Sequence, residues 1–268
     1  MLICLRKELV MDAGIIVAAT HHIEWLLPWW WYNLRIHNDL PCAFFDLGMT
    51  DAAKNWCRQR GDLIPFNIPD ISEKSTVDPS LAQKWEDAYG SGLWEIRPKW
   101  FKKPFVFLHS PFLNTLWLDL DCEVRAPLQS IFSHCRNEGG LAVVREAEAM
   151  QQFYQSSTLT LPGEITYNSG VIAYRRNSPI LSLWIEEVRE RNHLHVGDQD
   201  ALSRILFAKK PPFLELPPEY NWSRGLGPNP EALIFHWHGP RGKLMIQEQI
   251  RSYTSLGFFP NLELNLPG

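Results

Sequence analysis

The segment Thr115–Asp121 reads TLWLDLD, and no other stretch constrains the fold as tightly. Its apolar run predicts a buried strand. Alternate side chains of a strand share a face, so Asp119 and Asp121 are expected to point the same way from its end. Carboxylates are seldom taken into apolar surroundings unless they are paired or hold a metal. In open α/β sheets ligands bind beyond the carboxyl ends of the strands. Two carboxylates there can hold a divalent cation against a diphosphate. The plainer alternative is a turn with solvated acids.

The neighbouring segments supply the sheet that such a strand needs. Gly14–Ala19 (GIIVAA) and Pro41–Phe45 (PCAFF) are short apolar strands. Helical stretches, Ile23–Ile36 and Ala52–Arg60, alternate with them, and Leu63–Ile68 is extended. Gly140–Val144 and Tyr167–Tyr174 continue the strands. Ser178–Arg191 is a helix capped by Ser178 with Pro179 in its first turn. A second helix spans Asp198–Phe207, and Leu233–Phe235 is a late strand. Asp70–Gly92 is polar and is placed at the periphery. This β-α-β alternation predicts an α/β fold: one Rossmann-like domain over residues 1–268, with a mostly parallel central sheet and helices on both faces.

Composition narrows the function. A formal net charge of -4 leaves no basic surplus for a run of phosphates, which excludes a nucleic-acid partner. Five cysteines, an odd number without a C-x-x-C pair, support neither a disulfide framework nor a zinc ribbon. They suit a reducing compartment, so the expected location is the cytoplasm. No signal peptide is read at Met1–Met11, and no apolar run approaches the roughly 20 residues of a membrane span. Trp29-Trp30-Trp31 cannot all face one side of a helix. They are read either as contact with a membrane surface or lipid-linked acceptor, or as packing beneath Asp70–Gly92.

Four further motifs carry chemistry. His236, after a short strand, can complete a metal shell, and its imidazole suits manganese better than magnesium. Lys243 offers a point charge for a diphosphate. Asn168-Ser169-Gly170 offers hydrogen bonds to sugar hydroxyls, with a glycine for close approach. Asp198 is either a helix cap or a partner of sugar hydroxyls, with Gln199 beside the reacting carbon.

In order and spacing these motifs resemble the family 8 glycosyltransferases of GT-A fold over nearly the whole chain. The matching segments are VAATHH, FFDLGMT, TLWLDLDCEV, YNSGVIAYRRNSP, GDQDALSRIL, LPPEYNW and IFHWHGPRGK. The resemblance implies a manganese site (magnesium as a substitute) at Asp119, Asp121 and His236, with Lys243 on the diphosphate. It places Ala18, Thr20 and His22 at the nucleotide, and Asn168, Asp198 and Gln199 at the donor sugar. One of Lys103, Lys102 or Lys99 would stand for the family's arginine. Thr20 replaces an acidic residue and Lys243 lies one residue further from His236 than the family spacing, so the donor stays open between UDP- and GDP-linked sugars. The acceptor, a carbohydrate, a lipid-linked molecule or a protein, is likewise open. Family enzymes retain anomeric configuration; an inverting one would need a base such as Glu146 or Glu148. Met150–Ile165 is expected to lean over the site, or else to be a surface loop. Two competing readings are a sugar nucleotidyltransferase, which should carry a Gly-rich loop where this chain has AATHHIEW, and a non-catalytic carbohydrate-binding module using some of the twelve tryptophans.

Overall fold

The computed structural model describes residues 11–255; the readings made on residues 1–10, including Cys4, lie outside it. Ten strands are described: β1 (Met11–Ala19), β2 (Cys42–Asp46), β3 (Asp62–Pro65), β4 (Phe112–Leu118), β5 (Cys122–Val124), β6 (Leu141–Arg145), β7 (Tyr167–Arg175), β8 (Leu214–Leu216), β9 (Trp222–Ser223) and β10 (Ile234–His236). The helices are α1 (Leu27–His37), α2 (Asp51–Arg58), α3 (Pro79–Tyr89), α4 (Leu93–Trp100), α5 (Lys103–Leu108), α6 (Ile131–His134), α7 (Glu148–Ser156), α8 (Pro179–Arg191), α9 (Asp198–Lys209) and α10 (Gly239–Ser255).

Seven strands form the central sheet in the order β3-β2-β1-β4-β7-β6-β8. Only β7 runs against its neighbours, β4 and β6. The middles of the inner strands, such as Ile15–Val17, Leu116–Leu118, Leu141–Val144 and Val171–Ala173, are apolar because both faces are covered. Ile15, Val17 and Ala19 of β1 enter one core with α1, α2 and α10. Ile16, between them, enters the other core with α5, α8 and α9. A second sheet, β5-β10-β9, stands beyond the end of β4.

Local chemistry explains the helix starts. The Ser178 hydroxyl accepts from the Ile180 N–H at 3.3 Å, with Pro179 in the first turn of α8. Thr50 caps α2 and Asp78 caps α3 in the same way. The tryptophan run is core. Trp29 and Trp30 are fully buried, and Trp31 packs on Phe44 and Trp56 under the Arg35 guanidinium. This cover comes from β2, α2 and α10 rather than from Asp70–Gly92, and Trp31 is left half-buried. Eight of the twelve tryptophans are buried and none is exposed, which removes the motive for a sugar-stacking module. Cys42, Cys57, Cys122 and Cys135 are free and buried. Among the described residues no helix is long and apolar enough to cross a membrane.

Candidate active site at the carboxyl edge of the sheet

Parallel pairing of β1 and β4, with Ile16 opposite Trp117, brings Ala18 and Asp119 to the same edge of the sheet. β4 ends at Leu118, however, and a turn closed by the Cys122 N–H to the Asp119 carbonyl at 3.0 Å follows. Strand alternation therefore stops before the two acids. Rather than facing one point together, they take different partners.

Asp119 accepts from the Trp117 indole N–H at 2.7 Å and pairs with Lys103 at 3.0 Å. Lys103 also reaches Asp198 at 3.4 Å and the Ser169 hydroxyl at 3.1 Å, so of the three candidate lysines it is the one at the site. Lys102 pairs with Asp70 instead. Burial alone would lower the Lys103 amine; Asp119 and Asp198 outweigh it and hold it above its usual range. Burial raises the Asp198 carboxyl despite Lys103.

Asp198 is not the helix cap. Gly197 occupies the cap position, and the Asp200 carboxylate accepts its N–H at 2.9 Å. Asp198 is thereby free to accept from the Ser169 hydroxyl at 2.8 Å. Gln199 is locked in one orientation. Its carbonyl accepts from the Ser169 N–H at 3.1 Å, and its amide donates to Glu146 at 3.1 Å and to the Tyr154 hydroxyl at 3.3 Å. Tyr154 comes from α7, so the Met150–Ile165 region starts as a helix that does lean on the site. Its base is fixed by Gln151, whose side chain bonds the Thr166 backbone in both directions.

Asp121 belongs to the second sheet. It lies next to β5, whose antiparallel register sets Cys122 opposite His236. Asp121 Oδ1 is 3.2 Å from His236 Nε2, and Oδ2 accepts from the Lys243 amine at 2.7 Å. Burial works against the charged carboxylate, yet Lys243 and then His236 hold Asp121 well below the usual carboxylate range. Ligand atoms of Asp121, Cys122 and His236 lie within 4.8 Å of one another. Burial, with Asp119 and Asp121 beside it, keeps the Cys122 thiol well above its usual range. The oxygen and nitrogen donors of Asp121 and His236 fit a divalent ion such as manganese. Asp119 is outside this group, since its carboxylate faces Lys103.

The N-S-G glycine has a specific task. A Cβ on Gly170 would sit 2.3 Å from His236 Cε1, so the imidazole, rather than a ligand, needs the close approach. The ladder between β6 and β7 breaks its register here, where Val144 pairs with Asn168 after Val143 has paired with Ile172. Thr20 is buried at the end of β1 and its carbonyl accepts from Ile23 and Glu24. His22 is exposed, and Lys99 lowers its affinity for a proton. Ala18 is half-buried and packs on the core beside β4.

One member of this arrangement, Asn221, carried no specific task in the sequence reading. Only the quoted L-P-x-x-Y-N segment pointed to Asn221. Glu146, read as a possible base, instead has Oε1 engaged by the amides of Asn168 and Gln199.

No protein-family model matches the sequence, and no curated protein does. Solved structures match. The galactosyltransferase LgtC, in complex with donor and acceptor sugar analogues, is 15 % identical with a TM-score of 0.58, covering 85 % of this chain and 87 % of that one. Mouse xyloside xylosyltransferase 1 is 17 % identical with a TM-score of 0.52, covering 84 % and 97 %. The glycosyltransferase GlyE of Streptococcus pneumoniae TIGR4, in its apo form, is 18 % identical with a TM-score of 0.56, covering 86 % of this chain and 55 % of that one. The chain has the GT-A fold of these glycosyltransferases.

Proposed function

We propose that the chain is a nucleotide-sugar-dependent glycosyltransferase that takes a UDP- or GDP-linked donor and works with manganese. The observation that carries this reading is the convergence of Asp121 and His236 at 3.2 Å, with Lys243 on Asp121 and Lys103 on the neighbouring Asp119, at the sheet edge where this fold places ligands. That solved structures of this fold include a complex with donor and acceptor sugar analogues supports it.

A bound divalent cation would supply Lewis-acid charge for the departing nucleoside diphosphate. Asp121 and His236 would hold it, with Asp119 as a further carboxylate two residues away. Lys243, 36 % exposed, is able to leave Asp121 for a phosphate oxygen. Asp198, aligned by Ser169 and Lys103, would accept hydrogen bonds from donor-sugar hydroxyls, with Asn168 and Gln199 alongside. Ala18, Thr20 and His22 would flank the nucleotide. Retention of configuration is the reading we favour, because Glu146 Oε1 is committed to two amide donors. Gln199 is an amide, which cannot act as a general base; the leaving phosphate would take the acceptor's proton.

The test is calorimetric binding of UDP and GDP with and without manganese, alongside manganese-dependent hydrolysis of their sugar conjugates. Asp121→Ala is expected to lose all metal-dependent diphosphate affinity while melting close to the parent. Unchanged metal-linked affinity in that folded variant would remove the reading.

A further inference from the structure

We propose that Asn221 is a positioning residue that fixes the tautomer of His236, so that Nε2 presents its lone pair to a metal ion. The inference rests on the proposed metal site at Asp121 and His236. It follows from a chain of hydrogen bonds whose directions are forced from one end to the other.

The chain starts at a backbone N–H, which can only donate. The Gly170 N–H donates to Asn168 at 2.9 Å, so the Asn168 atom there is the carbonyl oxygen. The Asn168 amide nitrogen accordingly faces Glu146 Oε1, at 2.7 Å. Asn221 approaches the same Asn168 oxygen at 2.8 Å and must offer its own amide nitrogen. That leaves the Asn221 oxygen toward His236 Nδ1 at 2.9 Å, and an oxygen there requires Nδ1 to carry the hydrogen. Nε2 then points at Asp121 Oδ1, 3.2 Å away, with its lone pair. Two acceptors aimed at one point need a cation between them.

The surroundings leave the ring no other pose. Asn221 and His236 are 6 % and 4 % exposed. β9 runs parallel to β10 with Trp222 opposite Phe235, which seats the preceding Asn221 beside the imidazole. Gly170 lies against the ring, so it cannot tilt that way. Flipping the ring would set carbon against the Asn221 oxygen and strand a buried acceptor, at a cost of about 1–3 kcal/mol. Groups that accept the far N–H of a metal-binding histidine typically change metal affinity by about 10–100-fold.

The experiment titrates the whole chain with manganese alone and counts free ion by electron paramagnetic resonance. Parent, Asn221→Leu, Asn221→Asp, Asp121→Ala and His236→Ala are compared, each with a melting curve. Asn221→Leu fills the space without an acceptor and is expected to weaken manganese binding about 10–100-fold. Asn221→Asp keeps an acceptor for Nδ1–H and should stay within about threefold of the parent, although its second oxygen meets Asn168 and lowers the melting temperature. Parent-like affinity in Asn221→Leu, with a loss in His236→Ala, overturns the proposal and leaves the metal reading standing. Parent-like affinity in Asp121→Ala and His236→Ala removes the metal reading, and the proposal with it. If Asn221→Leu does not fold, the imidazole nitrogen-15 spectrum of the parent decides: a His236 hydrogen on Nδ1 supports the proposal, and one on Nε2 alone overturns it.

Discussion

Asp119 and Asp121 stand two residues apart, yet they belong to regions of opposite character. On the side of Asp119, Lys103 is only 10 % exposed and is shared by two carboxylates, a hydroxyl and a carbonyl. On the side of Asp121, Lys243 is 36 % exposed and holds one carboxylate. The first region is closed and internally satisfied; the second has an amine that can leave for solvent or a ligand. The difference suits two jobs, holding a fixed geometry and exchanging charge with something that arrives and departs. It also separates stability from binding, which makes the comparison open to experiment.

The largest contrast lies between the two lysines. Lys103→Met strands the buried Asp198 and takes one partner from the half-buried Asp119, and is expected to cost about 3–5 kcal/mol. Lys243→Met leaves the buried Asp121 with His236 as its remaining partner and is expected to cost less, about 1–3 kcal/mol, while losing diphosphate affinity. Chemical denaturation of both variants measures this, and equal losses would erase the distinction between the regions.

A second probe sharpens the role of the closed region. Asp198→Asn should lower kcat/KM on the order of a hundredfold, equivalent to about 2.7 kcal/mol, because an amide accepts more weakly than a carboxylate. Affinity for free UDP or GDP should stay put, since neither carries a sugar. A parallel loss of diphosphate affinity would place Asp198 on the other side of the divide.

The smallest effect concerns Asp200, next along the same helix. Burial first, then Asp198 and Glu164, push its carboxyl up to about 7, and its Oδ1 has no partner. The raised value means that its contribution to stability is complete below the ordinary carboxylate range, near pH 4, and is lost as pH climbs through 7. The expected slope is about 1.4 kcal/mol per pH unit at most. Asp200→Asn keeps an acceptor for Gly197 and carries no charge, so its melting temperature should exceed the parent's increasingly from pH 5 to pH 7. Parallel melting profiles would show that Asp200 is not strained.

Much of this arrangement is legible in the chain. Apolar runs such as GIIVAA and TLWL place the sheet, Ser178-Pro179 starts α8, and the N-S-G and D-Q-D segments meet at Ser169 and Asp198. Legibility ends where a period or a spacing no longer applies. The strand rule predicts one shared face for Asp119 and Asp121, but the strand stops at Leu118. Asp198 resembles a helix cap because acids favour that position; Gly197 holds it, since the Asp200 carboxylate satisfies its N–H. Trp29-Trp30-Trp31 looks too apolar for one helix face, yet α2 and α10 cover it from two directions. The roles of Asn221 and Glu146 depend on which amide end faces which neighbour, a property of three-dimensional contacts with no trace in residue order.

The short β5–β10 pairing also dictates when the site comes into being. Asp121 is joined by His236 across 115 positions of sequence, whereas Lys103 finds Asp119 across 16. During synthesis the closed region becomes possible once α9 has emerged, and the central sheet once β8 has followed it. The half that would hold a metal has no imidazole or second amine until residues 236–243 follow. A nascent chain can therefore be folded through most of its core and still lack the apparatus for diphosphate, so the ability to handle a donor arrives last, after the scaffold that keeps it in register.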